Sequence, residues 1–222
     1  MRVFIPSLLL VAATPLPALA DSLIDQARSA STDGPLYSYE MTLAYDDVDL
    51  SAFVDPSAEE GERITVTSPT KENWPKDLED DLARMEANTD GDIWCKEFAD
   101  VIPEDAVKTG ETDTTATYAF TPLPEDDADN MERKVLKKVD AKITLAKDDG
   151  AVLAYEATLP KPYKPAMIAK VNTLNIDVSC ERAPDGRTYV QSFDFALSGS
   201  AMMTDFNEKT TRKITKLVES VS

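Results

Sequence analysis

A run of nine residues with unbroken alternation is the feature that most constrains the fold of this chain. From Tyr37 to Tyr45, apolar side chains occupy every second position, and small or polar side chains lie between them. Because alternate side chains share one face only in a β-strand, this pattern predicts a strand with one aromatic face. Alternation and β-branched residues predict two further strands, at 48–54 and at 62–69.

Two Asp-Gly turns predict that much of the chain forms an antiparallel sheet. The dipeptide occurs at 149–150 and again at 185–186, each time between two alternating runs, which is a strong signal for a β-hairpin. A further strand is expected at 113–121. The segment 159–171 contains three prolines, which remove backbone donors, so we expect it to cross between the hairpins without ladder pairing.

Helical periodicity is confined to a few short segments. Apolar residues three and four positions apart predict helices at 21–30, from Pro75 to about Asn88, and at 131–139. The segment 93–101 fits either a strand or an irregular structure. After residue 205, a capping box of acidic residues favours a C-terminal helix, although the β-branched run TTRKIT also fits a last strand.

These segments together predict an α+β fold. Its main part is a mainly antiparallel, curved, half-barrel-like sheet, and a few helices pack on one face. No tandem repeat and no Gly/Ser linker divides the chain, so we expect residues 21–222 to form a single domain.

The first 20 residues have the features of a secretory signal peptide. Arg2 precedes a short apolar stretch, and Ala18, Leu19 and Ala20 form an A-x-A cleavage site. The apolar stretch is broken by prolines and is too short for a membrane-spanning helix. We therefore expect cleavage near Ala20, and a periplasmic or secreted protein without stable membrane insertion.

The two cysteines are expected to form a structural disulfide bond. Cys95 and Cys180 lack the spacing of a metal or redox pair, and an oxidising compartment favours their pairing. The chain has no histidine, which removes the usual base for a thiol nucleophile and most zinc and copper sites. Free buried thiols and an intermolecular bridge are the alternatives.

Charge and composition argue against several classes of function. The chain has 23 basic and 41 acidic residues, a net charge of −18, which disfavours nucleic acid and anionic lipid surfaces and leaves a basic protein as a possible partner. We expect no cofactor and no metal, since no phosphate-binding glycine loop or calcium-loop motif occurs. Catalysis is not expected, and a carboxylate-based hydrolase is the enzymatic alternative.

The apolar face of the predicted sheet leads to two competing hypotheses. In one it is an ordinary packed core, and the protein is an acidic accessory protein of the envelope that binds a basic partner. In the other, the helices cover the sheet incompletely and leave a cavity for a hydrophobic ligand. The candidate ligand-binding residues are Tyr37, Tyr39, Met41, Tyr45, Tyr155, Met167, Ile168, Phe193 and Phe195.

The order of these features resembles a known family. A signal peptide, a short helix, a tyrosine-rich first strand and the segment ERITVTSPTKENW precede the antiparallel hairpins. This arrangement is similar to that of the LolA/LolB-type periplasmic lipoprotein carriers. The resemblance implies a half-barrel with helices as a lid over an apolar cavity, and a lipid or the acyl chain of a lipoprotein as its ligand.

Overall fold

A curved, unclosed antiparallel sheet of 11 strands is the main element of the computed structural model, and a few short helices accompany it. The α+β, half-barrel-like fold class predicted from the sequence is thereby confirmed. The structure describes residues 22–45, 48–74, 78–87, 91–124 and 128–219. The predicted signal peptide at 1–20 lies outside them.

The bounds of the elements follow the chain. The helices are α1 (Ser22–Ser29), α2 (Leu78–Ala87), α3 (Glu97–Asp100) and α4 (Asn130–Leu136), with a 3-10 turn at Lys71–Asn73. The strands are β1 (Tyr37–Tyr45), β2 (Val48–Val54), β3 (Ile64–Ser68), β4 (Val107–Glu111), β5 (Thr115–Phe120), β6 (Asp140–Ala146), β7 (Val152–Thr158), β8 (Tyr163–Ala166), β9 (Ala169–Arg182), β10 (Thr188–Ala201) and β11 (Thr204–Glu219). Across the sheet they run β3-β2-β1-β11-β10-β9-β7-β6-β5-β4, and β8 pairs with β9 beside this path.

The strands with the clearest alternation lie where the sequence predicts them. β1 and β2 have the predicted bounds, and β1 buries Tyr37, Tyr39, Met41 and Leu43 on one face. The hairpins β6–β7 and β9–β10 form around the two Asp-Gly turns. In the first turn Gly150 has a φ of +72°, and a Cβ there would lie 2.9 Å from the Ala27 backbone nitrogen. Glycine therefore allows both the turn and the close approach of α1.

The C-terminal segment is a strand, so the helix predicted after Asp205 is wrong. β11 has 16 residues and lies between β1 and β10, which are both antiparallel to it. The capping box is a local signal, whereas pairing on two sides satisfies the backbone donors and acceptors of the whole segment. The β-branched residues Thr210, Thr211, Ile214 and Thr215 also favour an extended backbone.

The proline-rich segment pairs with the sheet more than its sequence predicts. β8 forms a short hairpin with the start of β9, through the pairs Tyr163 with Val171 and Ala166 with Ala169. The expectation that the prolines prevent ladder pairing is therefore wrong for these four residues. Pro165 is tolerated because β8 pairs on one side only, as an edge strand does.

Three clusters of buried apolar side chains form the core. The largest lies between β5, β6, β7 and β9 on one side and α1 and α3 on the other. A second surrounds Trp94 and includes Tyr39 and Ile214, and a third joins Leu78 of α2 to Leu43 and Leu50. Within the described ranges, no helix has the length and apolar character needed to cross a membrane.

Candidate binding face of the sheet

One face of the sheet carries a continuous row of side chains across seven strands. Side chains directly opposite one another in antiparallel strands share a face, so the register defines the row. From β1 to β5 it consists of Leu43, Arg212, Phe193, Val178, Tyr155, Ile143 and Tyr118. The ring of Phe98, next to the start of α3, stacks on Tyr155 with 4.9 Å between centroids. We call this side of the sheet the inner face.

Helices and loops cover the two ends of the row. At the β5 end, Tyr118, Ile143 and Tyr155 are buried in the largest cluster. Burial raises the pKa of Tyr155 to about 12, so its hydroxyl stays neutral at physiological pH. At the β1 end, Leu78 of α2 packs against Leu43. Both ends therefore have the density of an ordinary core.

The middle of the inner face is covered less completely. Phe193, Phe195 and Leu197 of β10 are half-buried, as are Ile176 of β9 and Phe206 of β11. The rings of Phe193 and Phe195 are nearly parallel, with 6.4 Å between centroids. We call these five residues the apolar strip. They leave apolar surface accessible on a face whose two ends are packed.

Polar side chains of β11 run beside the apolar strip. Glu208, Thr210 and Arg212 lie directly opposite the three strip residues of β10. The guanidinium carbon of Arg212 lies 5.9 Å from the centroid of the Phe193 ring, within the range of a cation–π contact. The strip thus combines an apolar lane with a polar lane that has a cation at one end, which suits an amphiphilic molecule.

A disulfide bond fixes the segment that covers one end of the inner face. Cys95 and Cys180 are bonded, as predicted, and Cys95 is fully buried. The Cys95 backbone N–H also donates to the Thr188 carbonyl at 2.9 Å, and Trp94 forms a β-bridge with Tyr189. The segment 93–101, which fitted either a strand or an irregular structure, therefore forms an isolated bridge followed by the short helix α3.

A separate depression of about 340 Å³ lies near Trp94, outside the apolar strip. Its charged residues include Asp149, Arg182, Asp185 and Arg187, and they pair with one another across the depression. Two hydrogen bonds from Arg182 to Asp149, of 2.7 and 3.0 Å, hold the pKa of that carboxyl below its usual value. We interpret this cluster as structural, because its charges neutralise each other.

The structure separates the nine candidate ligand-binding residues. Two of them, Phe193 and Phe195, belong to the apolar strip. Four are buried in the packed clusters, namely Tyr37, Tyr39, Met41 and Tyr155. The side chain of Tyr45 lies outside the described part of the structure. Met167 and Ile168 lie at the tip of the β8–β9 hairpin and are exposed, so they are not brought together with the aromatic residues.

Sequence reasoning missed three residues of the strip and its cation. Ile176 and Leu197 were assigned to strands but not to a binding face. Phe206 was placed on a helix, and Arg212 was not singled out. The alternation of apolar and longer polar side chains from Phe206 through Arg212 to Ile214 is the signal that indicates a strand here.

The described residues offer little for metal-dependent chemistry. Nowhere in these ranges do three Cys, Asp or Glu side chains come together as a possible metal site. In the same ranges, every fully buried side-chain nitrogen or oxygen atom has a hydrogen-bond partner.

Comparison with known proteins identifies no relative. The chain matches no protein-family model, no curated protein and no solved structure. Its function is therefore inferred from the geometry of the inner face.

Proposed function

We propose that this chain is an exported, non-catalytic protein that binds a hydrophobic ligand on the inner face of its curved sheet. The ligand class is a lipid or the acyl chain of a lipoprotein. The observation that carries this proposal is the half-buried apolar strip between two packed ends. The Cys95–Cys180 bond supports export, because such bonds persist in oxidising compartments.

The strip has the size and character that a chain-like ligand requires. A ligand that covered roughly 200 Å² of apolar surface would gain about 5 kcal/mol from removing that surface from water. The loss of translational and rotational freedom offsets part of this gain. Affinity therefore depends on contacts along the whole lane, from Phe193 to Phe206, rather than on a single pocket.

The polar lane of β11 suggests how the ligand is oriented. Arg212 is the cation of the inner-face row and lies against Phe193. An anionic or strongly polar head group is therefore best placed near Arg212, with the apolar chain extending toward Leu197 and Phe206. This orientation leaves the exposed carboxylate of Glu208 beside the chain rather than beside the head group.

Native mass spectrometry of the mature protein, purified without detergent, tests the proposal. We expect a population with additional lipid-sized mass that organic extraction removes, and we expect the extracted protein to bind a hydrophobic fluorescent dye. A clean apoprotein that also excludes the dye would contradict the proposal. That outcome would favour the alternative, an acidic accessory protein of the envelope whose basic partner dissociates at moderate salt.

A further inference from the structure

Two neighbouring hairpin turns present exposed apolar side chains at one end of the sheet. Met167 and Ile168 form the turn between β8 and β9, and their side chains are 99% and 60% exposed. Met202 and Met203 form the turn between β10 and β11, where Met202 is 73% exposed and Met203 fully exposed. The Met202 backbone N–H donates to the Ile168 carbonyl at 2.9 Å, which joins the two turns into one surface. We call these four residues the tip patch.

The backbone of the second turn is unfavourable for the residues that occupy it. Met202 and Met203 have φ values of 51° and 69°, and they are the two central residues of a two-residue hairpin turn. Such a turn favours Asn-Gly, because most other side chains are strained at positive φ. Two methionines here lose the local preference and also expose apolar surface to water. A rule broken twice at one place is expected where the residues serve a function.

Lysine side chains surround the tip patch. Lys164 and Lys170 line the same surface depression, of about 500 Å³, as the four apolar residues. Lys161 lies two residues before β8. Helix α4 packs on β8, where the Lys134 ammonium donates to the Pro165 carbonyl at 3.4 Å and Lys138 lies 5.8 Å from the Tyr163 ring centroid.

The local charge is therefore opposite to that of the whole chain. Between Leu159 and Val171 there are three lysines and no acidic residue, whereas the chain has a net charge of −18. The acidic residues of β11 and α4 nearest in sequence to the patch are Asp205 and Glu132. Charges interact over about 8 to 10 Å at physiological salt, so the lysines rather than the net charge determine what this surface attracts.

We propose that the tip patch docks the protein on the surface of a lipid bilayer that contains anionic phospholipid. The protruding methionine and isoleucine side chains enter the boundary between head groups and acyl chains, and the lysines contact the lipid phosphates. A bilayer accepts apolar side chains that project from hairpin turns without a matching pocket, which favours it over a protein partner. The docking uses residues outside the apolar strip and does not depend on the ligand-binding proposal.

A vesicle flotation assay tests this docking directly. The vesicles are pure phosphatidylcholine, or phosphatidylcholine with roughly one-third phosphatidylglycerol, at low salt. We expect the wild-type protein to float with the anionic vesicles, to stay in solution with the neutral ones, and to be released by salt.

The variant M202N/M203G removes two tip side chains and installs the residues that the turn prefers, so it keeps or improves the stability of the hairpin. We expect it to bind anionic vesicles about tenfold more weakly than wild type. K164Q/K170Q should weaken binding by a similar factor, at about one charge contact per lysine. The matched control is V107Q, which replaces an exposed apolar residue of edge strand β4 and should bind like wild type.

Three results would overturn the assignment. One is flotation of M202N/M203G equal to that of wild type. Another is equal binding to neutral and anionic vesicles, which would leave the lysines without a role. The third is the absence of flotation with either vesicle, which would leave an acidic protein surface as the partner of the tip patch.

Discussion

The guanidinium carbon of Arg187 lies 3.6 Å from the centroid of the Trp94 ring, within a buried contact that ties three parts of the chain together. The same guanidinium donates to the carbonyls of Thr32, at 2.5 Å, and Pro35, at 2.6 Å. It also pairs with Asp185 in the turn of the β9–β10 hairpin. Arg187 thereby holds the segment between α1 and β1 against the end of the inner face where the disulfide bond lies.

Replacing Arg187 by lysine should destabilise the protein although the charge is kept. Lysine lacks the planar fork that reaches two carbonyls and a carboxylate at once, and it stacks less well on Trp94. We expect the free energy of unfolding in urea to fall by about 1 to 3 kcal/mol. Lys216→Gln is the control, since its pair with Glu40 is exposed and should contribute less than about 1 kcal/mol. Equal losses for the two variants would contradict the role of Arg187.

Removing the disulfide bond should have a larger effect. Cys95 and Cys180 are 85 residues apart in sequence, and closing a loop of that length lowers the entropy of the unfolded chain. We expect C95A/C180A to unfold with a free energy about 4 kcal/mol lower than wild type in urea without reductant. Alkylation of the denatured, unreduced wild-type protein checks the bond itself. Two modified thiols would show that the bond is absent.

Acid should weaken the link between the two hairpin turns. Hydrogen bonds from Arg182 lower the pKa of Asp149 from its usual value of 3.8. Because the pKa is lower in the folded state, the pair stabilises the fold fully above about pH 5 and loses this contribution as the pH falls through the folded-state pKa.

Asp149→Asn should therefore lose stability at pH 7 and show a shallower decline in acid than wild type. The loss at pH 7 should be less than about 1 kcal/mol, because both side chains are more than one-third exposed. Urea unfolding of both proteins at pH 7 and at about pH 3 gives the comparison. An unchanged difference between the two pH values would contradict the linkage.

Gly199 is expected to tolerate no side chain. A Cβ at this position would lie 2.2 Å from the Lys170 carbonyl oxygen and 2.5 Å from Cζ of Phe206, which covers the glycine from the adjacent strand. Gly199→Ala should lower the free energy of unfolding by about 1 to 3 kcal/mol through this overlap. Gly110→Ala, where the nearest atom is 3.6 Å away, should change it by less than about 1 kcal/mol. Thermal unfolding of the pair separates overlap from the general effect of removing a glycine.

Local patterns in the sequence predicted the fold wherever neighbouring strands are also neighbours in sequence. β1, β2 and the two Asp-Gly hairpins have such signals, because a turn and its flanking alternation are read together. β11 lacks them. Its residues pair with β1 across the whole chain, as in Thr42 with Lys213, and no short window contains both partners.

The candidate site followed the same division. Phe193 and Phe195 were found because β10 belongs to a predicted hairpin, whereas Phe206 and Arg212 depended on the strand that was predicted as a helix. The tip patch was missed for a related reason. Met202 and Met203 occupy a turn without glycine, proline, asparagine or aspartate, so its sequence has no turn signal.

The central claim is that the apolar strip binds a hydrophobic ligand, and Phe195→Gln tests it most directly. The side chain is half-buried, so the variant should fold, which circular dichroism and the unfolding midpoint verify. The measurement is the dissociation constant of a neutral naphthylamine dye for extracted protein, with V107Q as control. We expect F195Q to bind the dye about tenfold more weakly than wild type and V107Q to bind it equally well. Equal dissociation constants for F195Q and wild type would contradict the account.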